Sequence, residues 1–252
     1  MIQLAANLSY LFTELPFLHR FMAAAKAGFR AVELAFPYDV PIRVLAARLR
    51  ENDLRLVLIN TPPGNLTIGE LGLAVLRGRQ GEMAAGFDQA LEYAVELDVP
   101  LIHFLAGRAP PGSNKAELDA LFLENISCAA DLAAAQNIVL SLEPLNERDW
   151  PDYHLQRAAH ARALIKESGR RNVKLQVDLY HRQISEGDLI RSIERDIDLI
   201  AHVQIAGVPE RSEPSCGEIA HANVLLRLDA LGYQGYVGCE YTPAAGTLGG
   251  LG

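Results

Sequence analysis

Four polar residues stand where apolar runs of β character end: Glu143, Asp178, Gln204 and Glu240. Each closes a buried-looking stretch, at 138–142, 173–177, 200–203 and 236–239. Three carboxylates and an amide gathered on one rim repel one another unless a cation sits among them or their pKa values rise. A divalent metal site is the most economical reading, since carboxylate and amide oxygens are acceptable ligands for a hard ion. Each residue also has a plainer role open to it. Glu143, followed by the ladder-breaking Pro144, could pair with an arginine. Asp178 could cap a helix, although the next helical pattern starts only near Glu186. Gln204, inside an apolar strand, needs hydrogen-bond partners in any case. His181 alone is a weak signal, and Glu33 reads as a structural hydrogen-bonding residue. His103 reads as core, and Arg108 as a solvated loop charge. Arg211 divides evenly between loop charge and anion ligand, while Trp150 and Tyr153 could wall a pocket or pack a subunit contact.

The elements that must position these residues alternate along the whole chain. Strand-like runs fall at 2–8, 31–34, 54–60, 101–105, 138–142, 173–179, 200–205 and 236–241. Helical periodicity covers 15–27, 41–52, 82–97, 116–136, 155–168, 188–198 and 222–231. Eight strands interleaved with helices predict an α/β fold, a single (β/α)8 TIM barrel over 1–252 with a loose Gly-rich tail from about 243. Continuous apolar strands suit a parallel sheet covered on both faces. A doubly wound sheet would want a Gly-rich phosphate loop after the first strand, and Asn7-Leu8-Ser9-Tyr10 is nothing like one. The connections at 61–81 and 207–221 are long, and both leave carboxyl ends of strands, where such barrels build their sites.

The chain has 252 residues, half of them hydrophobic, which is enough for a sizeable core. Its formal charge of −8 argues against nucleic acid or an anionic membrane as partner. Cys128, Cys216 and Cys239 show no Cys-x-x-Cys spacing and read as small, at least half-buried thiols. No signal-peptide pattern or membrane-length apolar run is evident, so a cytoplasmic protein is expected.

Several stretches carry a family resemblance. They are Gly28-Phe29-Arg30-Ala31-Val32-Glu33, Phe36-Pro37-Tyr38, Pro62-Pro63-Gly64, Leu142-Glu143-Pro144-Leu145-Asn146, Gln176-Val177-Asp178-Leu179-Tyr180-His181, His202-Val203-Gln204-Ile205-Ala206 and Gly238-Cys239-Glu240-Tyr241. From about Gln3 to Tyr241 the sequence resembles the hydroxypyruvate isomerases, within the barrel superfamily of xylose isomerase, the tagatose and psicose epimerases and endonuclease IV. The resemblance implies that Glu143, Asp178, Gln204 and Glu240 bind Mg2+ or Mn2+, and that Glu143 and Glu240 form the acid/base pair. It implies that His181 and, more loosely, Arg211 contact substrate. Gly69-Glu70-Leu71-Gly72 departs from a Gly-Glu-Arg-Gly pattern, and Asn65-Leu66 from Asp-Trp, so Leu71 stands where a substrate-carboxylate clamp is expected.

The implied reaction is aldose–ketose isomerisation through a cis-enediolate, hydroxypyruvate to tartronate semialdehyde. The partner is a small hydroxy-oxo acid or short sugar, with self-association left open. The alternative is a 2-oxo-tetronate isomerase or a ketose epimerase on the same metal. An endonuclease IV-type phosphodiesterase would want a multi-metal cluster, more strand-end histidines and a basic face, and ranks low. A non-catalytic metal-binding barrel has no positive support.

Overall fold

The computed structural model describes residues 1–251. Its strands are β1 (Gln3–Asn7), β2 (Ala31–Leu34), β3 (Arg55–Asn60), β4 (Leu101–His103), β5 (Val139–Leu142), β6 (Val173–Asp178), β7 (Ile200–Ile205) and β8 (Tyr236–Cys239). The helices are α1 (Phe17–Lys26), α2 (Ile42–Glu51), α3 (Gln80–Glu96), α4 (Lys115–Ala134), α5 (Ala158–Ser168), α6 (Leu179–Ser185), α7 (Leu189–Asp196) and α8 (His221–Ala230). The strands close in chain order into a parallel barrel, the (β/α)8 architecture expected from the alternation.

Local chemistry explains the elements. All four residues of β2 are buried, as in a sheet covered on both faces. Helix α7 buries Leu189, Ser192, Ile193 and Asp196, a helical-period stripe facing inward. Helix α4 opens at Asn114, whose side chain accepts from the Ala116 N–H at 2.9 Å. Helix α5 stops at Gly169, which takes a left-handed φ of 63°. The sequence did not anticipate α6. It starts directly at the end of β6, and Asp178 caps it by accepting from the Tyr180 N–H at 2.8 Å. Seven residues are too few to show a helical hydrophobic period, so only the capping aspartate could have announced it.

The chain divides into two compact units, 1–57 with 177–251, and 58–176. In the first, β1 pairs with β2 in the register Ala5↔Ala31 and with β8 as Ala5↔Gly238, and β8 pairs with β7 as Gly238↔Gln204. The Gly-rich end belongs to this unit and is held at Thr247. That residue is fully buried, accepts from the Phe12 N–H at 2.5 Å and donates to Glu14 Oε2 at 3.2 Å. In the second unit β4 lies between β3 and β5, with Ile102 opposite Ile59 and Leu140, and β5 pairs with β6 as Leu142↔Leu175. Phe104 packs edge-on against Phe87 and Phe122, at 6.0 and 5.9 Å, in the layer between this sheet and α3 and α4.

Gly238 is fixed by a close approach. A Cβ there would lie 2.0 Å from Glu33 Oε1. Gly238→Ala is therefore expected to cost about 1–3 kcal/mol through overpacking. Chemical denaturation measures it, and an unchanged midpoint would show that the Glu33 side chain yields freely.

Candidate active site

In the first unit the carboxyl ends of the strands carry one continuous polar network. Glu33, at β2, is fully buried. Its Oε1 meets His202 Nε2 at 2.6 Å, and its Oε2 accepts from Gln204 Nε2 at 2.9 Å and Asn7 Nδ2 at 3.2 Å. The same two amides donate to Glu240 Oε2, Gln204 at 2.6 Å and Asn7 at 2.8 Å. The Gln204 amide thus turns its nitrogen toward two carboxylates and its oxygen to the other side. Arg211 Nη2 donates to Glu240 Oε1 at 2.5 Å and to Asp178 Oδ2 at 3.2 Å. Its guanidinium also lies over the rings of Tyr10 and Tyr180, at 4.9 and 5.2 Å. Arg211 adopts φ 54°, a left-handed backbone costly for a long side chain, and such strain concentrates at functional sites. His181 is buried, with Nε2 3.8 Å from Asp178 Oδ2.

The electrostatics follow from this crowding. Burial raises the Asp178 pKa, and Arg211 only partly offsets it. Burial likewise pushes Glu240 up to about 8, with the charges of Asp178 and Glu33 adding to the rise and Arg211 opposing it. Two carboxylates and an amide therefore surround a position bridged by a single positive charge. The donor set is hard and anionic and suits a divalent cation by charge and by ligand type.

The second unit holds Glu143, just beyond β5 and buried. Gln176 Nε2 donates to its Oε2 at 3.1 Å, and Ser141 Oγ donates to Gln176 Oε1 at 2.8 Å. His103 Nδ1 lies 3.4 Å from the same Glu143 oxygen. Tyr153 is buried, and its hydroxyl accepts from the Ala106 N–H at 3.0 Å.

Of the residues singled out from the sequence, Asp178, Gln204, Glu240, Arg211 and His181 are thus brought together within one unit, and Glu143 has its own buried setting in the other. Several readings change. Asp178 does cap a helix, while its second oxygen still takes Arg211. Arg211 lies against the carboxylates of Asp178 and Glu240. His103 is a neighbour of Glu143, not plain core. Tyr153 is a buried strut, and Arg108 donates to the Pro151 carbonyl at 3.1 Å. Cys128 and Cys216 are exposed, and only Cys239 is buried. Leu71 is buried, and of the two arginines in this loop Arg77 pairs with Glu117 at 3.2 Å and Arg79 with Glu70 at 2.7 Å. Asn7 and His202 escaped the sequence reading. Their signal was a polar residue inside an apolar strand, the pattern that exposed Gln204.

With the geometry in view, comparison with known proteins places the chain. Residues 21–250 match the xylose isomerase-like TIM barrel family. The chain belongs to that family. Its relatives include a 2-oxo-tetronate isomerase of Cupriavidus necator, 47% identical over all of this chain and 97% of that protein. The hydroxypyruvate isomerase of Escherichia coli is 40% identical over all of this chain and 97% of its own length. A crystal structure described as AP endonuclease, family 2, from Brucella melitensis superposes with a TM-score of 0.98 at 44% identity, covering 100% and 97% of the two chains. A D-psicose 3-epimerase from Clostridium cellulolyticum shares the fold of this xylose isomerase-like barrel, with a TM-score of 0.81 at 22% identity, over 99% of this chain and 88% of the epimerase. Among the described residues no helix is long and apolar enough to cross a membrane.

The raised Glu240 pKa sets a pH dependence. The folded protein keeps a proton on this carboxyl up to about 8, whereas the unfolded chain releases it near 4.5. Between those values the unfolded state binds fewer protons, so stability falls as pH rises. Metal-stripped protein is expected to lose melting temperature from about pH 5 to pH 8, and Glu240→Gln to flatten the slope. A wild-type melting temperature that climbs across this window would contradict the burial argument.

Proposed function

We propose that this protein is a metal-assisted isomerase of short hydroxy-oxo acids, interconverting hydroxypyruvate and tartronate semialdehyde. The observation that carries the reading is Glu240. It is a largely buried carboxyl whose orientation is fixed by Asn7, Gln204 and Arg211, the placement a side chain needs to take and return a substrate proton. Glu143, Asp178, Gln204 and Glu240 would jointly hold Mg2+ or Mn2+, each standing at or next to the carboxyl end of a strand in a closed barrel. Bound there, the ion supplies Lewis-acid stabilisation of the negative charge that develops on the substrate oxygens.

The chain's own residues do the rest. Glu240 or Glu143 removes a proton from the hydroxymethyl carbon, giving the enediolate. A proton is then returned to the neighbouring carbon, while the hydroxyl proton passes to the former carbonyl oxygen. Atoms balance without a redox cofactor. Asn7 and Gln204 hold one oxygen of Glu240, so the other, now against Arg211, is the one that faces outward to work. Asp178 and Glu240, now paired with Arg211, would be among the ligands of that ion, whose charge would replace the one Arg211 supplies. The guanidinium, backed by Tyr10 and Tyr180, would then be available to a substrate carboxylate. His181, beside Asp178, would orient a substrate oxygen.

A second reading, 2-oxo-tetronate as substrate, is favoured by the 47% identity to the Cupriavidus necator enzyme. It uses the same proton transfer with one more hydroxymethylene to accommodate. Phosphodiester cleavage, suggested by the name of the Brucella protein, fits poorly with a formal charge of −8.

Glu240→Gln keeps the shape and removes the base. It should fold normally and lose at least ~100-fold of the deuterium incorporation from D2O seen by NMR with hydroxypyruvate. Wild-type exchange in that variant would remove Glu240 from the chemistry. The same assay with 2-oxo-tetronate separates the two substrates by kcat/KM. Asp178→Ala should lower the Mg2+ or Mn2+ content found by elemental analysis, and unchanged stoichiometry would take it out of the ligand set.

A further inference from the structure

The second unit carries a cluster that the proposed isomerisation does not use. Asp119 sits in the first turns of α4, His160 near the start of α5, and His154 in the segment joining β5 to α5. Two ring nitrogens converge on one oxygen: Nε2 of His154 and Nε2 of His160 lie 2.8 and 2.7 Å from Asp119 Oδ1. The rings meet edge to face, their centres 5.1 Å apart. These three side chains have the donor types and closeness of a metal triad.

The second observation is the state of His154. Its side chain is only 3% exposed, yet its Nε2 makes no aligned hydrogen bond in spite of the nearby carboxylate. His160 takes the hydrogen-bonding direction to Asp119, and His154 meets the same oxygen off-axis. A buried polar nitrogen in this position is destabilising if nothing satisfies it. As an imidazole, the ring has either a misdirected N–H or a lone pair that faces the carboxylate. A cation cures the second case.

We propose that Asp119, His154 and His160 form a second metal site, selective for a divalent transition ion of the Zn2+ class. Two imidazoles and one carboxylate are a borderline-soft donor set, which Zn2+, Co2+ or Ni2+ prefer and Mg2+ does not. Three protein ligands leave a fourth position for water, and side-chain exposures of 26% for Asp119 and 11% for His160 give the ion and that water a way in. Around a tetrahedral ion with bonds of about 2.0–2.1 Å the ligand atoms stand about 3.3 Å apart, so binding spreads this cluster by about half an ångström. The positive charge of Lys115 opposes binding, and the charge of Asp119 favours it. The ion would brace the segment that runs from Glu143 to α5. His154 already anchors that segment by donating its backbone N–H to the Gly107 carbonyl at 2.9 Å.

The test uses the full-length protein, stripped of metal and then held in excess Mg2+ to saturate hard-ion sites. Co2+ should bind at one equivalent with the visible bands of a four-coordinate ion, and Zn2+ should raise the melting temperature. Asp119→Asn and His160→Gln should weaken Co2+ binding at least ~10-fold with unchanged far-UV circular dichroism, whereas Asp178→Ala should leave it intact. X-ray absorption on wild-type protein with one equivalent of Zn2+ needs no variant and should show two imidazoles per ion. An all-oxygen shell, no binding at micromolar Zn2+, or equal affinity in the Asp119 and His160 variants would overturn the proposal.

Discussion

Negative charge packed into a place that water hardly reaches is the constraint on which the candidate site turns. Glu33, Asp178 and Glu240 come from three different strands and share one network. Two like charges about 4 Å apart near a protein surface repel by roughly 4 kcal/mol. That is comparable with the whole margin of stability of an ordinary domain. The network meets the problem in layers. Glu33, deepest, is surrounded by donors from His202, Gln204 and Asn7. Glu240 shares two of those donors and then depends on Arg211. Asp178 depends on Arg211 and on the N-terminus of α6. One guanidinium thus compensates two carboxylates.

This layering explains how a scaffold of apolar strands delivers chemistry. The barrel supplies rigid strand ends, and the inner residues Glu33, His202 and Asn7 fix the direction in which Gln204 and Glu240 point. Gly238 allows β8 to approach Glu33, so even a missing side chain contributes to the geometry. In the other unit the Ser141–Gln176–Glu143 chain repeats the logic, with an amide holding one oxygen of a buried carboxylate. In both units an amide fixes the direction of one carboxylate oxygen.

The sequence was most informative where periodicity was long or where a polar residue interrupted an apolar run. All eight strands were legible, because a parallel barrel needs continuous apolar segments separated by helices. Glu143, Asp178, Gln204 and Glu240 stood out for the same reason. The seven-residue helix α6 was hidden, because fewer than two turns are too few for a hydrophobic repeat to show. The contact of Arg211 with Asp178 and Glu240 was also hidden. It depends on a loop whose backbone turns left-handed at Arg211 itself, and no local pattern specifies that. The pairing of His103 with Glu143 joins adjacent strands, and the Asp119–His154–His160 cluster joins three separated pieces of chain. Neither leaves a spacing signature.

The most direct measurement is a crystal structure of the Mn2+-soaked protein, with the ion located by its anomalous scattering. The expected result is a peak coordinated by oxygens of Asp178, Gln204, Glu240 and Glu143, with the Arg211 guanidinium withdrawn from the two carboxylates it bridges. A peak elsewhere, or Arg211 still bonded to both Asp178 and Glu240 with no ion between them, would contradict it.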